Sequence, residues 1–581
     1  MFKEEIFEKN LLALKKTQPE LWRWISSNID LTEVVKKKVK VNKFNLPDFE
    51  LSHGYLMEDI DLKAYVSWIR TIKNSKLLVL IGSSLGYGIA ILNKEGFKSN
   101  LIVVEPDPYL LFASLGISDF SYLIRNRKLL FATSLTSHLR SAFERFIPYI
   151  LHSQVKIVLD WVNLKIGEKY KEAFERAKSV LKDTILSIST IRRRQEETIE
   201  NEIQNFKRIF TDGSLFPLKG KLKDFYCMVI GAGPSLEENY ELIKFAKQKI
   251  ITASAFQTLP VLYRFNLKPS FAMALDYTAT LLKVYDKIPL KWLEDIPLIY
   301  SPKINPEVLS KYPGMTIPVW TTGGLGTYVN PKKDIVIESG GNVSVAIIRL
   351  LYEFGIKEFF LIGQDFSWRS ESTHSKGHHA SEEKFKYDPK EHIKITNRYG
   401  ETIYTAGPYL SAVHEIEKDI EEKHLKIYNL YDRGVEIKGS AYLDPKDFIT
   451  FLDKVDKDQE ALFLKFIKEC KQPRPLPKID FESEIWHKSL SNVEKRLKKL
   501  YKRYTKNQQE IKQVYNEILI FLAQHPIYTP YIHNEMLELS LFSSVKDTFL
   551  PADFRKTSKI LKSIKEKVKK IDKKLKEALL K

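Results

Sequence analysis

The chain has 581 residues, enough for about three or four domains at roughly 150 residues each. A hydrophobic share of 44% supplies real cores, and the 28% of charged residues, spread over the whole length, exclude a disordered chain. The formal net charge of +19, from 92 basic and 73 acidic residues, has no compact basic block before the last residues, which favours solvated lysine faces over a nucleic-acid footprint.

Cys227 and Cys470 are too few and too far apart for a disulfide framework or a cysteine zinc site. The opening "MFKEEIFEKNLLALKK" places acidic residues where a secretion signal needs a basic segment and an unbroken apolar run. No apolar run approaches 18 residues, so membrane insertion is not expected and the expected location is cytoplasmic.

In chain order, residues 1 to about 70 read as helices and loops. "KLLVLIGSSLGYGIAIL" (76–92) and "LIVVEPDPYLLFASL" (101–115) then read as a βαβ opening, whose strand-end Glu105 and Asp107 would meet a ribose in a dinucleotide or S-adenosylmethionine fold. Gly82, Gly86 and Gly88 do not fit G-x-G-x-x-G, so a Rossmann-like domain with no ligand is the plainer reading. Residues 165–210 read as long helical segments with the charged "RRRQEE" (192–197) between them, a solvated connector.

A second α/β block starts at 224. "FYCMVIGAGPSL", "IITAS", "PSFAMALD", "PLIYS", "IPVWTT" and "EFFLIGQDF" read as strands, with "NVSVAIIRLLYEFG" (342–355) a helix between two of them. Alternating strands and helices predict a mostly parallel sheet, whose ligands sit beyond the carboxyl ends of the strands. Gly231, Asp276, Thr322 and Gly363 all fall at such ends. In "GAGPSL", a glycine turn opening a helix suits an anion, because backbone N–H groups face outward there. Gly231 and Gly233 let a ligand approach, Pro234 fits the first helical turn and Ser235 adds a hydroxyl. Asp276 suits ribose hydroxyls as well as plain loop capping, and Asn342 after Gly340 and Gly341 is a good helix cap.

"KQPRPLPKIDF" (471–481) is a proline-rich linker, and beyond it apolar residues recur at helical spacing from Leu497 to Ala578. Residues 555–581 hold twelve basic and three acidic side chains, a solvated face or a docking surface for an acidic partner. The expected domains are therefore 1–165 (Rossmann-like α/β), 166–210 (helical connector), 211–450 (central α/β) and 451–581 (helical bundle).

"GAGPSL", the helix ending in Gly355, the strand into Gly363-Gln364-Asp365-Phe366 and "THSKGHH" (373–379) together resemble bacterial sialyltransferases that use CMP-sugars. With its flanks, the chain looks still more like the Maf (motility associated factor) flagellin glycosyltransferases, whose central domain has a sialyltransferase-like fold. That resemblance implies transfer of a nonulosonic acid, of pseudaminic or legionaminic type, from its CMP-activated donor to Ser or Thr of flagellin before export. It implies donor binding by Gly231, Gly233, Pro234, Ser235, Asp276, Thr322, Gly340, Gly341, Asn342, Gly363 and Gln364, and catalysis by His374 as base with Asp365.

Partners would be flagellin and the CMP-sugar, without nucleic acid, and no metal or other cofactor is expected. The sialyltransferases place a tyrosine just after Gly-x-Asp-Phe, where this chain has Ser367, Trp368 and Arg369, so Ser367, Arg369 and Tyr404 stand as candidates for the leaving phosphate. His378 and His379 lie near His374. "DKD" (456–458) is discounted as a metal motif because it sits in a charged helical run. A similar central turn occurs in archaeal 6-hydroxymethylpterin pyrophosphokinases, which use ATP and Mg²⁺. A non-catalytic flagellin-binding protein is the remaining alternative.

Overall fold

The short apolar runs become strands covered on both faces, as parallel sheets require. The computed structural model describes residues 2–52, 54–327, 333–368, 374–378, 385–389 and 391–580. The chain divides into two units, one of Met1–Thr190, Arg503–Asn516 and Leu537–Pro551, the other of Ile191–Lys502, Glu517–Met536 and Ala552–Lys581.

The first unit opens with the helices Glu4–Thr17, Pro19–Ser27 and Leu31–Lys38, followed by β1 (Val39–Val41), β2 (Pro47–Leu51) and β3 (Gly54–Tyr55), an antiparallel trio. A four-stranded parallel sheet follows: β4 (Leu77–Ile81), β5 (Asn100–Val104), β6 (Leu129–Ala132) and β7 (Val155–Leu159), in the order β6-β5-β4-β7. β4, β5 and β6 are buried at every position. The strand-end acids predicted to meet a ribose are engaged by the protein itself. The Glu105 carboxylate accepts from Ser83 N–H (2.8 Å), Asp107 N–H (3.1 Å) and the Tyr170 hydroxyl (2.6 Å). Asp107 caps the helix Pro108–Ile117. Across the sheet Asp160 accepts from Tyr65 (2.6 Å) and Ser84 (2.7 Å).

Burial pushes Glu105 up to about 7 and Asp160 up to about 6. Between its ordinary value of 4.5 and about 7, Glu105 keeps in the folded chain a proton that the unfolded chain releases. Its contribution is therefore full at low pH and is lost as pH rises through 7. The expected outcome is a fall in stability of roughly 3 kcal/mol from this group between pH 4.5 and 7.5. Urea titrations of the whole chain across that range check it, since the Glu105→Gln variant should show a flatter profile.

The second unit is built on eight parallel strands. β8 (Tyr226–Ile230), β9 (Ile251–Ala255), β10 (Phe271–Ala274), β11 (Leu298–Tyr300) and β12 (Thr316–Pro318) precede the small pair β13 (Trp320–Thr321) and β14 (Val336–Ile337). Then come β15 (Glu358–Ile362), the hairpin β16 (His392–Thr396) and β17 (Thr402–Ala406), β18 (Lys426–Asn429) and β19 (Ala441–Tyr442). The large sheet runs β12-β11-β10-β9-β8-β15-β18-β19, so the order reverses between β8 and β15. Successive residues of a strand face opposite sides. Cys227 and Val229 join one core, with Val345–Leu351 of the helix Val343–Phe354, while Met228 and Ile230 join the other, with Leu236 and Phe256.

Two expectations change. The supposed connector is one continuous helix, Lys169–Gln204, and its last turns are not simply solvated. Gln195 is buried and donates to the Pro530 carbonyl (2.8 Å). The helices beyond 451 form no separate bundle: Arg503–Asn516 and Leu537–Pro551 group with the first unit and the remainder with the second. The apolar faces themselves are as read, with Leu497, Ile511, Tyr515, Ile518, Ile564, Val568, Ile571 and Leu575 all buried. The basic helix Pro551–Leu580 spends part of its charge inside the second unit, where Lys565, Lys567 and Lys570 pair with Glu494, Glu535 and Glu200. In "DKD", Asp458 is the cap of the helix Gln459–Glu469.

Candidate functional site

In an open α/β sheet the ligand crevice lies where the strand order reverses. Here that point is flanked by "GAGPSL" after β8 and Gly363-Gln364-Asp365 after β15. The two segments are laced together. Gly231 N–H donates to the Ile362 carbonyl (2.8 Å) and Gly233 N–H to the Gly363 carbonyl (2.9 Å). Ser235 gives both its N–H (3.0 Å) and its hydroxyl to the Asp365 carboxylate.

This changes the account of the glycines. A Cβ on Gly231 would stand 2.2 Å from the Gly363 oxygen, and one on Gly363 would stand 2.6 Å from the Gly231 oxygen. The residues are glycine because two backbones cross here, and the amides of 231, 233 and 235 are taken by protein acceptors instead of facing an anion. Asp365 is likewise a clamp: it is buried, and its carbonyl accepts from Val435 N–H (3.0 Å) and the Ser367 hydroxyl (3.1 Å).

The histidine loop lies on this clamp. Ser375 N–H donates to the Ala232 carbonyl (2.9 Å) and its hydroxyl to the Gly233 carbonyl (2.6 Å). That pins His374 beside the turn, its ring stacked on buried His378 at 4.1 Å between centroids. Lys287 holds the far end of the loop through the His378 carbonyl (3.2 Å). Gln364 reaches the Ser344 hydroxyl (2.8 Å), and Asn342 caps Ser344 N–H (2.8 Å), so the helix Val343–Phe354 is tied to the same point. Gly340 and Gly341 are both left-handed. A Cβ on Gly340 would strike Val345 at 2.6 Å, whereas Gly341 has open space.

Asp276 and Thr322 belong to a neighbouring group at the ends of β10 and β13. Asp276 accepts from Thr278 N–H (3.0 Å), a local turn bond. The Thr322 carbonyl accepts from Lys303 Nζ (2.6 Å). These loops hang from the end of the long helix: Asn201 in its last turn donates to the Tyr277 (2.8 Å) and Lys303 (3.0 Å) carbonyls, and Asn205, just past it, to those of Pro302 and Ile304 (both 2.9 Å). Glu202, fully buried, accepts from Leu325 N–H (3.0 Å) and faces the Tyr531 hydroxyl (3.4 Å). Burial pushes Glu202 up to about 7 against the opposing pull of Lys303, and burial lowers Lys303.

The sequence reading missed Asn201, Glu202, Asn205, Lys303, Ser344 and Ser375. One signal was available, since two asparagines four apart are poor helix formers that share a face. Of the phosphate candidates, Ser367 donates to the Asp365 carbonyl and Tyr404 packs its ring at a tilt against Phe385 and Tyr387. Arg369 and His379 lie outside the described residues. Among the described residues, no three His, Cys, Asp or Glu side chains gather as a metal-ligand set, and no helix is long and apolar enough to cross a membrane.

A family model described as 6-hydroxymethylpterin diphosphokinase MptE-like matches residues 200–371, less than a third of the chain. Its first matched residues include Asn201–Asn205, the turn that holds the sheet-end loops. The fold is similar to that of a MAf glycosyltransferase from Magnetospirillum magneticum AMB-1, with a TM-score of 0.56 and 16% identity over 99% of this chain and 96% of that one. No curated protein sequence matches the chain.

Proposed function

We propose that the chain is a glycosyltransferase that moves a nonulosonic acid, of pseudaminic or legionaminic type, from its CMP-activated form to a Ser or Thr hydroxyl of flagellin. The observation that carries this reading is the likeness of fold to a MAf glycosyltransferase along almost the full length of both chains. The pinned His374 at the order reversal supports it. In the proposed reaction the bond between the anomeric carbon and the CMP phosphate oxygen breaks, and the acceptor oxygen bonds to that carbon. The acceptor proton passes to His374, a general base of the kind worth about 10²–10⁴-fold. Asp365 positions the turn and does not touch the substrate. The donor lies along the carboxyl ends of β8, β9 and β10, with Asp276 toward the ribose, Thr322, Gly341 and Asn342 on the rim, and Pro234 and Gln364 along the clamp.

Intact-mass measurement of flagellin co-expressed with this protein and a CMP-nonulosonic acid pathway tests the proposal. A gain of one sugar or its multiples supports it, and unchanged mass with a functioning pathway removes it. The family match at 200–371 favours a second reading, pyrophosphoryl transfer from ATP to a hydroxymethylpterin. Release of AMP with the pterin diphosphate, instead of CMP, would decide for that chemistry.

A further inference from the structure

Sugar transfer from a CMP donor leaves a phosphate that needs a cation or oriented donors, and the clamp amides are already engaged by the protein. Lys303 lies elsewhere on the same sheet end, three residues past β11 and half-buried. One of its three ammonium protons goes to the Thr322 carbonyl (2.6 Å). The turn beside it is Gly323-Gly324, both left-handed at φ +80° and +56°. A Cβ on Gly323 would come within 3.6 Å of the ammonium, and one on Gly324 would collide with the Glu202 carboxylate at 2.1 Å. The double glycine thus lets the chain pass close over Lys303 and Glu202 without a side chain covering the ammonium. Asn201 ties the carbonyls of Tyr277 and Lys303 together, which sets the Asp276 loop beside the Lys303 loop.

We propose that Lys303 is the anion subsite of the nucleotide, taking the phosphate of a pyrimidine nucleoside monophosphate, and that Glu202 restrains it until the anion arrives. The proposal rests on the glycosyl-transfer reading. Without an anion the Glu202 carboxylate attracts the ammonium through space, and an arriving phosphate competes with it for the same charge. The two neighbouring charges have an ordinary structural alternative, in which they only anchor the long helix. The two differ in the sign of one result: removing the Glu202 charge weakens an anchor but strengthens an anion site.

The test is calorimetric titration of the full chain with CMP and, separately, cytidine. For Lys303→Met the expected result is CMP binding weakened about tenfold or more, with cytidine affinity unchanged. Lys303→Arg should keep most of the CMP affinity, and Glu202→Gln, which retains an oxygen for Leu325 N–H, should bind CMP several-fold tighter than the wild type. Thermal unfolding of each variant reports whether it is folded, and the Arg and Gln variants keep the question answerable if the Met variant is not. Equal CMP affinity in wild type and Lys303→Met, or equal weakening of CMP and cytidine, overturns the subsite and leaves the transfer reading standing. Weaker CMP binding by Glu202→Gln also overturns it. A wild type that takes up no CMP at millimolar concentration overturns both.

Discussion

Replacing His374 with alanine is expected to cut sugar transfer about 10²–10⁴-fold, the usual worth of a positioned general base, and to leave CMP affinity within about twofold. In the proposed reaction the ring meets the acceptor hydroxyl and not the nucleotide, so the loss belongs in kcat. The loop should survive the change, since its anchors are the backbone and hydroxyl of Ser375 on Ala232 and Gly233. His378→Ala serves as the comparison. That ring is buried under His374, so its removal should disturb the loop and give a smaller drop in rate. Single-turnover transfer measured beside CMP binding separates the cases. A His374→Ala protein with more than half the wild-type rate would remove this residue from the chemistry.

Arg349→Leu is expected to cost about 3–5 kcal/mol of stability, the penalty for stranding buried charges. Arg349, on the helix Val343–Phe354, is almost wholly enclosed. It donates to Asp419 (2.7 Å), to Glu415 and to the Glu338 carbonyl (3.1 Å). Burial alone would lower the guanidinium, but Asp419 and Glu415 hold it above its ordinary value. Without it two carboxylates remain in the core, where Lys423 stays on Asp419 at 2.8 Å. The same arginine sits under Gly340 and braces the helix whose first turn meets Gln364. A urea midpoint shift measures the loss. Adding Glu415→Gln and Asp419→Asn should recover much of it, and a single variant as stable as wild type would show the cluster to be idle.

Much of this was readable from one sequence because the signals were local. Alternating strand and helix runs announced the parallel sheet, and the glycine turn after β8 and the Gly-Gln-Asp after β15 stood at strand ends as they should. That these two segments meet is a statement about strand order, which the spacing of residues does not carry. The glycines illustrate the limit. A residue lacking a Cβ serves equally for a ligand's approach and for another backbone's, and only the 2.2 Å gap between position 231 and the Gly363 oxygen separates the two. Lys303 and Glu202 were invisible for a different reason. They are unremarkable charges in sequence, a hundred residues apart, and acquire meaning through Asn201 and the Gly323 turn. The boundary at 210 misled because composition changes there while the hydrogen bonds of Asn201 and Asn205 cross it.

Those two asparagines carry a lesson about inheritance. The loops at one side of the sheet are hung, by four side-chain bonds to carbonyls, from the last turn of a helix and the residue just past it, which contribute no strand and no reacting group. Specificity in this half of the molecule can therefore drift without any change in the residues that line the crevice. A shift in the pitch of that helix would re-aim Asp276 and Lys303 together, while the glycines of the clamp cross elsewhere, at Gly231 and Gly363.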